Sequence, residues 1–252
     1  MVHSSLMNTP PNPPGALATA DCCVVVPTYN EVENISQLIG QIVALPRFRV
    51  LVVDDASPDG TGAVVDAMAR DEPRVGLLSR SGKLGLGSAY ITGFRRALAE
   101  GAQFIFEMDA DFSHDPSYLP ALLRAAEERY DLVIGSRYVR GGGTADWGFG
   151  RRLISRGGNI YAGLILGLPL ADSTGGFRCY RRRVLETLDL AAVRSNGYAF
   201  QIEMAYRVRR AGFRIGEVPI IFPDRRVGHS KMSRRIVLEA LVNVWKLRFG
   251  LI

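Results

Sequence analysis

Two carboxylates one residue apart, Asp109 and Asp111, stand in "MDADFSHD" (108–115), directly after the apolar residues Phe104, Ile105 and Phe106. Carboxylates this close repel each other unless they lie in solvent or share a cation. At the tip of a buried strand, Asp-x-Asp suits a hard divalent ion. Mg2+ or Mn2+ takes oxygen ligands, needs only one or two carboxylates, and completes its shell with water and substrate phosphates. Ser113 offers a further oxygen, directly or through water. The motif is short, so its weight comes from where the fold puts it.

Five short apolar runs rich in β-branched residues punctuate the first half: "CCVVV" (22–26), "VLVVD" (50–54), "VGLLS" (75–79), "FIFEMD" (104–109) and "LVIGS" (132–136). Their near-continuous hydrophobicity reads as strands covered on both faces. Between them, Ile35, Leu38, Ile39, Ile42 and Val43 trace one helical face, and Val64, Val65, Met68 and Ala69 another. Strand and helix in alternation predict an α/β fold: a doubly wound, mostly parallel sheet with helices on both faces. The ligand crevice of such a sheet lies beyond the carboxyl ends of its strands. "PTYNE", "DDASPDGT", "DADFS" and "SRY" all fall at those ends. Turn chemistry accounts for "SPDG" but not for four polar clusters on one edge.

Past residue 140 the pattern changes. A glycine-rich, mobile stretch "RGGGTADWGFGRR" (140–152) precedes an apolar helix near 153–167, a short "GGFRCY" strand, a helix around 199–210, a strand at 213–220 and a C-terminal amphipathic helix from about 232 to 249. Residues 1–20, with four prolines and little charge, read as a flexible leader rather than a signal peptide. The rest, 21–252, reads as a single domain. The longest uncharged apolar stretch, 157–171, is too short to span a bilayer.

The net charge of +6 points to an anionic partner: nucleic acid, a phosphorylated small molecule or an anionic membrane. Three cysteines, two of them adjacent and none in a C-x-x-C pair, argue against a disulfide framework or a zinc site. "GKLGLGSAY" (82–90) puts Lys83 in a glycine-rich loop before a helix, yet it fails both the P-loop and the G-x-G-x-x-G patterns. "DRRVGHSKMSRR" (224–235) is crowded with cations but lacks aromatic residues for base stacking. That argues against single-strand binding, and the acidic clusters at the sheet edge do not fit a nucleic-acid-binding protein of any kind. His114 and His229 stand alone among polar residues and read as solvent-exposed.

"VVVPTYNEVENI", "VVDDASPDGT", "GKLGLGSAY", "MDADFSHDP", "GSRY", "STGGFRCYRR" and "RRVGHSKMS" occur in one order, from about residue 22 to 248. Together they resemble the family 2 glycosyltransferases of the GT-A fold, and within them the polyprenol-phosphate (dolichol-phosphate) mannose synthases. The resemblance implies transfer of mannose from GDP-mannose to a polyprenyl monophosphate, with inversion and with Mg2+ or Mn2+. By motif, Pro27, Tyr29, Glu31, Val53 and Asp55 would hold the nucleoside, and Asp109, Ala110, Asp111 and Ser113 the diphosphate and metal. Arg225 and Lys231 would clamp the donor phosphates. Arg137, Arg151 and Ser155 would receive the acceptor phosphate and, with Asp111, form the catalytic set. The acceptor also implies a peripheral enzyme on the cytoplasmic face of a membrane, docked through the 153–167 and C-terminal helices. A membrane-embedded partner protein or a fused domain is compatible with this. Two alternatives stay open: UDP-glucose as donor to the same acceptor, and a non-catalytic donor-binding or scaffolding subunit.

Overall fold

The computed structural model describes residues 21–223 and 234–251. The five predicted strands form as β1 (Cys22–Thr28), β2 (Phe48–Asp54), β3 (Val75–Ser79), β4 (Phe104–Glu107) and β5 (Leu132–Ser136). The first four run parallel in the order β3-β2-β1-β4. Helices α1 (Val32–Val43), α2 (Thr61–Asp71), α3 (Leu86–Ala99) and α4 (Leu119–Glu128) connect them. Alternate residues of each strand serve opposite faces. Cys22, Val24 and Val26 face Ile35, Leu38 and Ile39 of α1, with Val65 of α2 and Leu122 of α4 in the same cluster. Cys23 and Val25 belong instead with Ala89, Tyr90 and Phe94 of α3. Burial on both sides explains why β1 reads as unbroken apolar sequence.

Beyond β5 come the short β6 (Gly143–Thr144), α5 (Phe149–Leu166), β7 (Arg178–Arg181), α6 (Arg182–Thr187), α7 (Gly197–Arg210), β8 (Ile215–Pro219), β9 (Ile221–Phe222) and α8 (Arg234–Arg248). The sheet continues from β4 as β7-β5-β8. Strand β7 is antiparallel to both β4 and β5, whereas β8 runs parallel to β5. The stretch 140–152, expected to be mobile, is instead tied down: β6 pairs with β9, and Trp147 is buried edge-on against Phe222. Helices α5, α7 and α8 share a third cluster that includes Ala162, Ile202, Val244 and Leu247. All three cysteines are free and buried, in keeping with the absence of a disulfide framework. Among the described residues, no helix is long and apolar enough to cross a membrane.

Candidate active site

The loops after β1 and β2 hold each other. Asp54, buried at the end of β2, accepts from the Thr28 hydroxyl (2.8 Å), the Ser57 hydroxyl (2.5 Å) and the Ser57 N–H (3.0 Å). Asp59 accepts the Val32 N–H, and the Thr61 hydroxyl oxygen accepts the Glu31 N–H, so "SPDGT" caps the start of α1 from a distance. Asn30 and Ala56 adopt left-handed backbone (φ 61° and 53°), which asparagine tolerates and alanine holds only when its surroundings enforce it. On this frame Tyr29 is partly exposed, with the Lys83 ammonium 4.1 Å from its ring centroid. Glu31 accepts from Asn34, and Pro27 closes the same strand end. Val53 differs from expectation in kind. Its side chain lies in the core beneath α3, so only its backbone can meet a ligand. Asp55 is buried and already engaged, paired with Arg80 at 2.5 Å and accepting the Leu84 N–H at 3.3 Å.

The Asp-x-Asp pair follows β4. Tyr90, wholly buried in α3, donates to Asp109 Oδ1 at 3.0 Å. Burial, then the charges of Asp109 and Glu107, push the Tyr90 phenol well above its usual range and keep it a donor. Asp111 Oδ1 accepts from both the hydroxyl (2.5 Å) and the N–H (3.1 Å) of Ser113 across Phe112, which is left-handed at φ 59°. Ala110 is buried in the core. His114 is not exposed as its polar neighbours suggested. It is buried, stacked on Phe177 with centroids 5.0 Å apart, and its Nδ1 accepts the Asp109 N–H at 3.0 Å. Beneath the pair, burial lifts Glu107 to about 7 against the opposing pull of Arg178 and of hydrogen bonds from Tyr180 and Gln201. Two carboxylates and a hydroxyl fit a hard divalent cation that shares its shell with a diphosphate. No group of three His, Cys, Asp or Glu side chains forms a full cage among the described residues.

Across the sheet edge, Arg137 follows β5 and is buried. Its Nε and Nη2 donate to the two oxygens of Asp172 at 2.7 and 2.6 Å, and Nη2 also to the Thr174 hydroxyl at 2.8 Å. Burial opposes charge on both groups, but the fork of hydrogen bonds outweighs it. Asp172 is held below its usual range and Arg137 above. The Arg151 guanidinium lies 3.9 Å from the Trp147 ring centroid, and Ser155 accepts from the Tyr138 hydroxyl at 2.7 Å. A cleft of about 470 Å³ opens here, lined by Arg137, Tyr138, Phe149, Arg152, Leu153 and Arg156. Arg225 and Lys231 lie outside the described residues, as does His229.

The model of glycosyl transferase family 2 matches residues 23–189, which take in all three groups just described. The chain belongs to this family. The glycosyltransferase is 50% identical over 228 residues to the undecaprenyl-phosphate mannosyltransferase of Micrococcus luteus, covering 90% of this chain and 93% of that one. It is 47% identical over 229 residues to the polyprenol monophosphomannose synthase of Mycolicibacterium smegmatis, covering 89% and 86%. Two solved structures share its fold. A mannosyltransferase from Pyrobaculum calidifontis in complex with GDP-Man and Mn2+ aligns at TM-score 0.62 and 19% identity, covering 91% of this chain and 64% of that one. Glucosyl-3-phosphoglycerate synthase from Mycobacterium tuberculosis with Mn2+, UDP-glucose and phosphoglyceric acid aligns at 0.63 and 20%, covering 96% and 86%.

Sequence reading of this glycosyltransferase passed over four residues that the site uses. Arg80 follows β3 just as the four polar clusters follow their strands, and the same rule finds it. Tyr90 ends "GKLGLGSAY", whose sequence reads only as the entry to a helix. Asp172 stands one position before "STGGFRCY". Trp147 lay in a stretch whose glycines masked it.

Proposed function

We propose that the protein transfers mannose from GDP-mannose to the phosphate of a membrane polyprenol, giving an inverted, β-linked product. The observation that carries this reading is the Asp109/Asp111 pair at the end of β4, braced by Tyr90 and Ser113. It occurs in a chain half identical, along nine-tenths of its length, to an undecaprenyl-phosphate mannosyltransferase. Asp109, Asp111 and Ser113 would hold Mg2+ or Mn2+. When bound, that ion would supply Lewis-acid stabilisation of the departing diphosphate.

The residues themselves do the positioning. Pro27, Tyr29, Glu31, Asp55 and the Val53 backbone surround the nucleoside, and Ala110 carries the backbone between the two carboxylates. Arg225 and Lys231, outside the described residues, would clamp the donor phosphates by motif. Arg137, Arg151 and Ser155 receive the acceptor phosphate. A phosphate monoester oxygen is already ionised near neutral pH, so no strong general base is needed. His114, with its Nδ1 committed to the Asp109 N–H, is consistent with that economy. Catalysis is then orientation plus electrostatics.

The acceptor also brings the enzyme to a membrane surface. Phe149, Leu153, Ile160 and Leu164 form an exposed stripe along α5, which contains three arginines and no acidic residue. Val242 and Trp245 of α8, with Phe249 just past its end, form a second. Two packed helices with apolar stripes and adjacent cations suit the interface of an anionic leaflet. A cytoplasmic face and a membrane-embedded partner protein are compatible with this arrangement.

The test is transfer of radiolabelled mannose from GDP-mannose to a short polyprenyl phosphate in detergent, with and without Mg2+ or Mn2+. Metal-dependent label in the lipid, reduced by a factor on the order of 100 or more in Asp111→Ala, is expected. Transfer from UDP-glucose but not from GDP-mannose would overturn the donor, and silence with both would overturn the activity.

A further inference from the structure

The loop that leads into β7 is stapled from three sides. Glu217 on β8 accepts the N–H groups of Ala171 and Asp172 on its two oxygens, both at 2.9 Å. Asn159 of α5 accepts the Thr174 N–H (3.1 Å) and the Ser173 hydroxyl (3.0 Å), while its own amide donates to the Ser155 carbonyl at 3.0 Å. Arg178, fully buried, donates to the carbonyls of Ser173 and Gly175. From this fixed loop Asp172 reaches Arg137 three times, accepting its backbone N–H at 3.0 Å as well as the guanidinium fork. Tyr138, Trp147 and Phe222 wall the guanidinium, with ring centroids 5.3 to 5.5 Å from its central carbon. Nη1 makes no hydrogen bond among the described residues, and Arg137 lines the cleft.

We propose that Asp172, supported by Thr174, is a positioning residue that locks the Nε–Nη2 edge of Arg137 and so presents the Nη1 corner to the acceptor phosphate. The inference rests on the reading of Arg137 as an acceptor-phosphate residue. A free arginine would sample many rotamers and lose that freedom on binding. Here the loss is already met in folding, because an edge-on carboxylate leaves only one corner for a ligand. Asp172 also cancels the formal charge of Arg137. What Arg137 contributes is therefore aim rather than net attraction, which falls to Arg152 and Arg156 in the same cleft.

The experiment compares wild type, Asp172→Asn, Thr174→Val and Arg137→Gln. KM for a short polyprenyl phosphate is measured at saturating GDP-mannose, and GDP affinity by calorimetry. Asp172→Asn is expected to raise the acceptor KM by about tenfold or more, the scale of one misdirected charge-assisted hydrogen bond, with GDP affinity within twofold. Thr174→Val, which removes the hydroxyl that accepts from Arg137 Nη2 (2.8 Å) and the Asn159 amide (3.2 Å) and donates to Asp172 (3.2 Å), is expected to raise it about threefold. If Asp172→Asn does not fold, the same criterion applied to Thr174→Val decides. A merely structural role would lower kcat through lost active enzyme and leave the acceptor KM in place. Arg137→Gln raising that KM while Asp172→Asn and Thr174→Val do not would overturn the positioning role alone. An unchanged KM in Arg137→Gln would overturn the acceptor reading and this inference with it.

Discussion

The carboxylate of Asp172 is shut away from water, and its charge persists there only because Arg137 meets it with a fork of donors. Burial raises the carboxyl pKa and the Arg137 bonds lower it by more, so the folded value sits below the ordinary 3.8. Between those two values the unfolded chain binds the extra proton. The stability from this group is therefore complete above 3.8 and is lost as pH falls through the folded value. Asp172→Asn strands a buried guanidinium and should cost roughly 3–5 kcal/mol at neutral pH. It should also narrow its deficit relative to wild type as pH falls below 3.8. Denaturant titrations at several pH values check this, and a deficit constant with pH would show that the charge of Asp172 is not what stabilises. None of this pairing was legible beforehand. The two residues are 35 positions apart, and either alone reads as a surface charge. Asp109 and Asp111 were legible because their spacing is local and the apolar run before them marks a buried strand.

At the scale of elements, the strands and the helices between them announced themselves through period and composition. The direction of β7 did not. A short strand covered on both faces carries no local mark of parallel or antiparallel pairing, and "RCYR" even contains a fully buried arginine. The fit of α3 onto the sheet was equally silent. At Gly93 an added Cβ would stand 2.3 Å from Val25 Cγ1 and 3.2 Å from Val53 Cγ2. Helix propensity favours alanine over glycine by about 1 kcal/mol, whereas overpacking costs about 1–3 kcal/mol. Gly93→Ala should therefore be net destabilising, with a lower urea midpoint and an unchanged slope. A raised midpoint would mean that α3 can lift off β1 at little expense. Because α3 also carries Tyr90, such slack would loosen the brace on Asp109.

For the molecule as a whole, the two exposed apolar stripes on α5 and α8 sit on helices packed together, joined by the Tyr161 hydroxyl on the Leu241 carbonyl at 3.2 Å. The buried residues of α8, Val244 and Leu247, hold it to α5 and α7, while Trp245 and Phe249 stack on each other in the open. Trp245→Ala with Phe249→Ala should weaken sedimentation with anionic vesicles about tenfold or more and leave GDP affinity intact, since each ring buries on the order of 1.5–3 kcal/mol of apolar surface. Parallel loss of both would assign these rings to folding instead. The composition had suggested an anionic partner without naming it, and only the fold gathered the cations and rings onto one pair of helices. The sheet order has a consequence for how the chain is made. Strand β4 pairs with β1 on one edge and with β7 on the other, and 70 residues lie between the end of β4 and the start of β7. While the ribosome adds those residues, the nascent protein carries an open, apolar-flanked edge that a neighbouring chain can extend. Anything that halts synthesis between the Asp-x-Asp loop and Arg178 leaves that edge unsealed, so truncation there yields a sticky fragment rather than a smaller enzyme.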